Sequence, residues 1–436
     1  METLHELGAL TDTAFFWTSL VKVVVSFVVV LLTVAMMTLA ERRFAAFIQD
    51  RLGPNRVGPF GLLQPIADGL KNFLKEETLP GEASRFYFVL APMLAIGPAF
   101  VLFAVIPWAA PLPTPWGVVD MVVADVPVGI LFILALSSLG VYGLFLAGWS
   151  SNNKYSFLGG LRASAQMVSY EVSLGLSLIP VFMLVGNVTI PQMVWVQQEG
   201  LGWWFAFPLG LAFFLFVISS FAETNRLPFD MPEAESELVA GYHAEYSSMK
   251  FSMFMMGEYA HLLTQSALMA TLFLGGWDIP FAQWDDMVLV APGVVMGAEP
   301  ALWKTVLTFL SFVVKTLFFA FVFIWVRWTV PRFRYDQIMD LGWKAMLPTA
   351  LGYIVLTGAT ILVLDTIGLE YGFLYGLLLT AVNSVALVVF LWVIDRGRVL
   401  RGGSTGPALR PVREAAGVGV GEEPATEPRV TSGVGA

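Results

Sequence analysis

An all-α, polytopic membrane fold with about nine transmembrane helices, a cytoplasmic amphipathic surface helix and a disordered C-terminal tail is predicted by three observations. Of 436 residues, 57% are hydrophobic and only 13% charged, against about a quarter charged in soluble domains. Mean hydropathy is +0.74. Apolar runs of the roughly 20 residues that a spanning helix needs recur along the chain. This composition argues against a soluble enzyme, a nucleic-acid binder or a disordered scaffold. With no cysteine, the chain cannot itself hold an iron–sulfur cluster, a thiolate zinc site or a disulfide. It has three histidines, and only His261 falls in a span, too few to ligate paired haems.

The first run, 14–40, follows the flank METLHELGALTDT, which carries acids in place of the basic start of a signal peptide, so it reads as a retained helix. The further spans are 86–107, 126–149, 162–187, 204–221, 249–275, 303–328, 346–364 and 372–394. Apart from Lys22, Lys304 and Lys315, every basic residue lies in the intervals 41–85, 150–162, 222–250, 327–345 and 395–436, and the alternate loops hold none. Because cytoplasmic loops retain Lys and Arg, residues 1–13 are expected outside, 14–394 form the transmembrane domain, and 395–436 lie in the cytoplasm. The tail is rich in Gly, Pro, Ala and Val without periodicity and is expected to be disordered.

Between the first two spans, Leu63, Ile66, Leu70, Phe73 and Leu74 form an apolar stripe at helical spacing, with Gln64, Asp68, Lys71 and Lys75 opposite. The segment is too charged to span, so it is expected to lie at the cytoplasmic surface. Simple anchoring and the border of an opening for an amphiphilic ligand both fit that pattern. Gly53-Pro54-Asn55 and Gly58-Pro59 mark its start.

Ionisable residues sit where a bilayer would reject them. Glu171 lies nine residues beyond Arg162, about 13 Å down its span. Glu258 is similarly deep, with His261 one turn on, and Lys315 is near the middle of the seventh span. Such groups cost several kcal/mol unless they face protein or water. They serve either as polar contacts between helices or as a buried proton path, and three spans each carrying one favour the path.

The interval FAETNRLPFDMPEAESELVAGYHAEYSSMK is acidic where an inside loop should lean basic. It holds Glu223, Asp230, Glu233, Glu235, Glu237 and Glu245 against Arg226 alone up to Glu245. Clustered like charges raise some of their pKa values and let a proton be shared. A solvated acidic loop is the bland alternative, but Pro228 and Pro232 around Asp230 argue for a fixed turn.

Four blocks at these places resemble the family of H-type membrane subunits of the proton-translocating NADH:quinone oxidoreductase, respiratory complex I, the counterpart of mitochondrial subunit 1. They are AERRFAAFIQDRLGPNRVGPFGLLQPIADGLKNFLKEE (40–77), SYE (169–171), FAETNRLPFDMPEAESELVAGYHAEYSSMKFSMFMMGEYA (221–260), and Lys315 followed by FIWVRWTVPRFRYDQIMDLGWK (323–344). The resemblance covers about residues 14–394. It implies a subunit at the junction of the hydrophilic and membrane arms that lines the quinone tunnel and starts the charged path to the proton-pumping subunits. By that resemblance Glu41, Arg42, Arg43, Asp68, Lys71 and Arg226 border the quinone cavity. Glu171, Asp230, Glu233, Glu235, Glu237, Glu245, Glu258 and Lys315 belong to the proton path, with Arg327, Arg332 and Arg334 as counter-charges.

The resemblance further implies that the chain belongs to an NADH dehydrogenase but performs no electron transfer. Ubiquinone or menaquinone is the substrate. FMN and iron–sulfur clusters reside in partners: the hydrophilic subunits of the quinone site, with small and antiporter-like membrane subunits alongside. No metal and no nucleic acid are assigned. Neither a P-loop nor a dinucleotide-binding glycine motif is present, so ATP hydrolysis and NADH binding are not expected of this chain. The tail and His243 depart from the family pattern, and the ninth span exceeds the shorter mitochondrial relatives. Length and tail favour a bacterial cytoplasmic membrane. The alternatives are a homologous subunit of a hydrogenase-linked or deazaflavin-linked complex, a free-standing ion transporter, and a passive anchor. The unbroken ADGLKNFLKEE and RYDQIMDLGWK stretches favour the NADH enzyme.

Overall fold

The computed structural model describes residues 4–6, 10–200, 203–233, 235–280, 282, 284–291 and 294–395. Two units are distinguished by their internal contacts, 1–400 and 401–436, and all described residues lie in the first. The predicted disordered tail therefore falls outside the described residues.

The N-terminal strand β1 (Leu4–Glu6) precedes α1 (Asp12–Ile48), whose N-terminus is capped by Thr11. At 37 residues α1 is about 55 Å long, far more than the roughly 30 Å hydrocarbon core. Its last turns, which carry Glu41, Arg42 and Arg43, therefore project past the apolar run. The chain then turns through Gly58 and Gly61 into α2 (Gln64–Leu74). A Cβ on Gly61 would stand 2.3 Å from the Pro54 carbonyl oxygen and φ is +74°, so only glycine closes this turn without strain.

Helix α2 is the predicted amphipathic helix. Leu63, Ile66, Leu70, Phe73 and Leu74 are all exposed on this chain. Ser248 ties its end down by donating to the carbonyls of Asn72 and Lys75 at 2.8 and 2.9 Å.

The remaining helices are α3 (Arg85–Leu102), α4 (Gly129–Ser150), α5 (Lys154–Val185), α6 (Ile190–Trp195), α7 (Gly210–Glu223), α8 (Glu235–Leu238), α9 (Ser248–Phe273), α10 (Leu302–Thr329), α11 (Tyr335–Asp340), α12 (Leu347–Thr366) and α13 (Phe373–Asp395). The predicted spans overlap α1, α3, α4, α5, α7, α9, α10, α12 and α13. Among the described residues, seven helical stretches are long and apolar enough to cross a membrane, so the count of nine is not confirmed. Apolar α7 has only 14 residues, about 21 Å. Helix α9 has the length, but its Ser, Thr, Gln, His, Glu and Lys side chains dilute its hydropathy. The protein is a multi-pass membrane protein.

The helices bury a common core that joins Val30, Val34 and Met37 of α1 to α3, α5, α7, α9, α10 and α12. A smaller core joins Phe88, Ala147 and Ala163 to Tyr242, Tyr246 and Phe254. It anchors the acidic interval to α3, α4 and α5: the Phe88 and Tyr246 rings stack with centroids 4.0 Å apart. Among the described residues, two small antiparallel sheets absent from the sequence prediction lie outside the helices. One pairs β2 (Leu112–Thr114) with β3 (Gly117–Val119); the other has order β1-β5-β4, with β4 (Met287–Ala291) and β5 (Val294–Gly297). Short apolar runs rich in valine pair readily once a turn brings them together.

Candidate functional site

Where α1, α9, α10 and the segment after α7 converge, Arg226 is buried, with a side chain 0% exposed. Its Nη1 donates to Glu41 Oε2 at 2.6 Å. Its Nε lies 2.6 Å from Glu258 Oε1, an ion-pair contact in which the N–H is not aligned as a hydrogen bond. The guanidinium stacks 4.3 Å from the centre of the Tyr259 ring. Glu41 also accepts from Arg327 at 2.5 Å and from the Tyr259 hydroxyl at 2.8 Å. Two carboxylates and two guanidiniums thus compensate one another around the buried Arg226 and Glu41, with Arg327 at 28% exposure reaching the rim, the arrangement that lets charges persist in low dielectric.

Arg226 is held by its turn. Gln166, fully buried on α5, donates to the carbonyls of Ala222 at 2.8 Å and Phe229 at 2.7 Å. The Phe229 N–H returns to the Arg226 carbonyl at 2.8 Å. The Leu227–Pro228 bond within this turn is cis.

The described carboxylates of the acidic interval are partnered along its length. Asp230 accepts from Arg332 at 2.9 Å, while its Oδ1 is buried without a partner. Burial, then the charge of Glu233, push Asp230 up to about 6 against the pull of Arg332. Glu233 faces His243 Nε2 at 3.3 Å and the Tyr242 hydroxyl at 3.4 Å. Burial alone would raise the Glu233 carboxyl, but the hydrogen bond and charge of His243, with Arg327 and Arg226, hold it below the ordinary range. Burial alone would lower His243, yet Glu233 and Glu258 carry it above its ordinary value. Glu237 pairs with Arg162 at 2.6 Å, and Glu245 accepts from Asn153 at 2.7 Å. Glu235 begins α8; its side chain lies outside the described residues.

Deeper in the bundle, Glu223 Oε1 lies 3.2 Å from His261 Nε2, and Gln265 donates to Glu223 Oε2 at 2.9 Å. Glu171 accepts from Ser138 of α4. A cavity of about 60 Å³ lies between Tyr242, Glu258, Glu223, His261 and Ser137, large enough for a few water molecules. His261 therefore meets Glu223 at the end of α7, and lines the same cavity as Glu258 on its own helix.

The sequence-derived residues do not all meet here. Asp68 pairs with Arg42 at 2.6 Å and accepts from Gln64 at 3.0 Å. Arg43 is half-buried and Lys71 exposed. Arg334 is exposed and pairs with Asp336 through two donors. Lys315 turns the other way, donating to the carbonyls of Leu274 at 2.6 Å and Asp278 at 2.5 Å. Sequence reasoning missed Gln166, Tyr259, Gln265 and Ser138. Tyr259 follows Glu258 directly in GEYA, so its proximity was visible, but uncharged donors give no signal of misplacement in an apolar run.

Comparison with known proteins settles the family. Residues 21–358 match the family described as NADH dehydrogenase. The chain belongs to this family. Similar relatives include an H-type subunit of the NADH-quinone oxidoreductase of Geobacter sulfurreducens, 49% identical over 358 residues, covering 80% of this chain and 96% of the relative. The NADH-quinone oxidoreductase subunit 8 of Rhodothermus marinus is 47% identical, covering 79% and 97%, and an H-type subunit of the Cytophaga hutchinsonii enzyme is 47% identical, covering 74% and 91%. These findings bear out the resemblance read from the four blocks and make the chain a subunit of an oxidoreductase complex. The family match stops inside α12, so α13 and the tail lie beyond it.

Proposed function

We propose that this chain lines the membrane-level route by which quinone reaches an NADH:quinone oxidoreductase and that its carboxylates couple quinone reduction to proton translocation. One observation carries the reading: the linked ionisable groups from Arg332–Asp230 and Glu233–His243 through Arg226, Glu41 and Glu258 to the cavity that reaches Glu223 and His261. A file of carboxylates separated by room for water is what proton movement through a bundle requires, whereas an anchor needs none. The exposed apolar stripe of α2, beside the Arg42–Asp68 pair, supports an opening for a ligand with a long apolar tail and a polar head. Glu41, Arg42, Arg43, Asp68, Lys71 and Arg226 border it. Glu171, Asp230, Glu233, Glu235, Glu237, Glu245 and Glu258 form the acidic path, with Arg327 and Arg332 as counter-charges and Arg334 at its rim.

The relatives' names support NADH as the ultimate donor and quinone as the acceptor. FMN and iron–sulfur clusters belong to partner subunits, and this chain supplies no redox group. The N-terminus lies outside and the tail in the cytoplasm of a bacterial cell membrane. The test uses the assembled complex carrying Glu258→Gln, measured for inhibitor-sensitive NADH:quinone reduction and for proton pumping per quinone reduced. Loss of pumping or of both activities in a fully assembled complex supports the reading. Normal pumping in every assembled acid variant overturns it. Truncation after Arg401 is the control and leaves both activities unchanged.

A further inference from the structure

At the opposite end of the bundle from Glu41, three carboxylates converge. Asp278 follows α9, Asp285 and Asp286 precede β4, and one carboxylate oxygen from each lies within 4.8 Å of the others. Lys315 is the facing cation, but its ammonium is committed to the Leu274 and Asp278 carbonyls and stands 4.4 Å from the centre of the Trp204 ring. Three carboxylates against one ammonium leave an excess of negative charge in a site where Asp285 is fully buried. Asp278 Oδ2 accepts from Trp204 Nε1 at 2.6 Å, and Asp285 Oδ2 from the Ile279 N–H at 2.8 Å. Asp285 Oδ1 has no partner.

A second, independent observation comes from another element. Gln198, in the π-helical segment Val196–Gly200, is 9% exposed and lines the same cavity as Asp278 and Asp286, a space of about 690 Å³. Its Nε2 points to the Asp285 carbonyl at 3.4 Å, while its Oε1 is buried without a partner. A buried acceptor left without a partner is costly, and a second one on Asp285 makes the same demand. A cation answers both and balances the charge.

We propose that Asp278, Asp285, Asp286 and Gln198 Oε1 form a binding site for a hard divalent cation of the calcium type. Every donor is oxygen and none is His or Cys, which disfavours zinc. Calcium accepts six to eight oxygens in irregular geometry, whereas magnesium demands a near-ideal octahedron, and the cavity admits water to complete the shell. The ion would add to the polar contacts that already tie the segment after α9 to the segment before α7, among them the Gly275 N–H donating to Gln197 at 3.0 Å.

Terbium, which substitutes for calcium, tests this on the purified, chelator-treated complex, because Trp204 is placed to sensitise its emission. The expected result is saturable tryptophan-excited emission that calcium displaces and equal magnesium does not. Asp285→Asn should weaken terbium binding by at least about tenfold. Half-buried Asp286→Asn should do the same and serves if the first variant does not assemble. Calcium should also raise the thermal midpoint of the unsubstituted complex and not that of the variants. Absence of calcium-displaceable emission, or emission unchanged in an assembled variant, overturns the proposal.

Discussion

Replacing Arg226 by Gln should leave Glu258 without the single ion pair it makes among the described residues, while Glu41 keeps Arg327 and Tyr259. At the observed 2.6 Å and an effective dielectric near 20, the gross attraction is about 6 kcal/mol. Desolvation of both ions offsets most of it, so the pair itself contributes little net stability. Breaking it is different, because a buried carboxylate is left uncompensated at a cost of about 3–5 kcal/mol. Adding Glu258→Gln removes that charge and should recover a large part of the loss. Unfolding of such an assembly is irreversible, so the readout is the half-life of the intact complex in detergent at fixed temperature. Arg226→Gln should shorten it by at least about tenfold, the equivalent of 1.4 kcal/mol, and Arg226→Gln/Glu258→Gln should be longer-lived than the single variant. Equal lability of the single and double variants would refute the compensation argument.

Two further outcomes are expected. The His243–Glu233 pair should make order in the acidic interval depend on pH. The His243 contribution is complete below its ordinary 6.5 and is lost as pH rises through its raised folded value. The Glu233 contribution is complete above its ordinary 4.5 and is lost as pH falls through its lowered value. Hydrogen exchange across residues 237–246 should therefore speed up at either extreme beyond its intrinsic pH dependence, and His243→Gln should abolish the alkaline limb; an unchanged profile would show that the pair does not hold the interval. Glu237→Gln removes a pair whose side chains are 30% and 42% exposed, so complex half-life should change by no more than about 1 kcal/mol allows. A fall in NADH-dependent quinone reduction larger than any loss of assembled complex would place Glu237 in function; parallel losses would assign it to structure alone.

The nine hydrophobic runs, the amphipathic α2 and the acidic interval were legible in the sequence because each rests on local composition or on a period within one helix. So was the family, since its blocks are contiguous stretches of chain. Partner choice was not local. Nothing in one run of residues says that Arg226 reaches Glu41 across 185 positions, that His261 meets Glu223, or that Lys315 donates to the carbonyls of Leu274 and Asp278. Neither does it say that Gln166, a neutral residue in an apolar span, clamps the Arg226 turn.

Composition and periodicity by themselves determined that this is a helical membrane protein with ionisable groups inside it, because transfer into lipid is governed by each side chain's own chemistry. Only the tertiary structure decided which charges compensate one another and where three carboxylates remain in excess, because electrostatic energy depends on distance and burial, and both are set by how the helices pack.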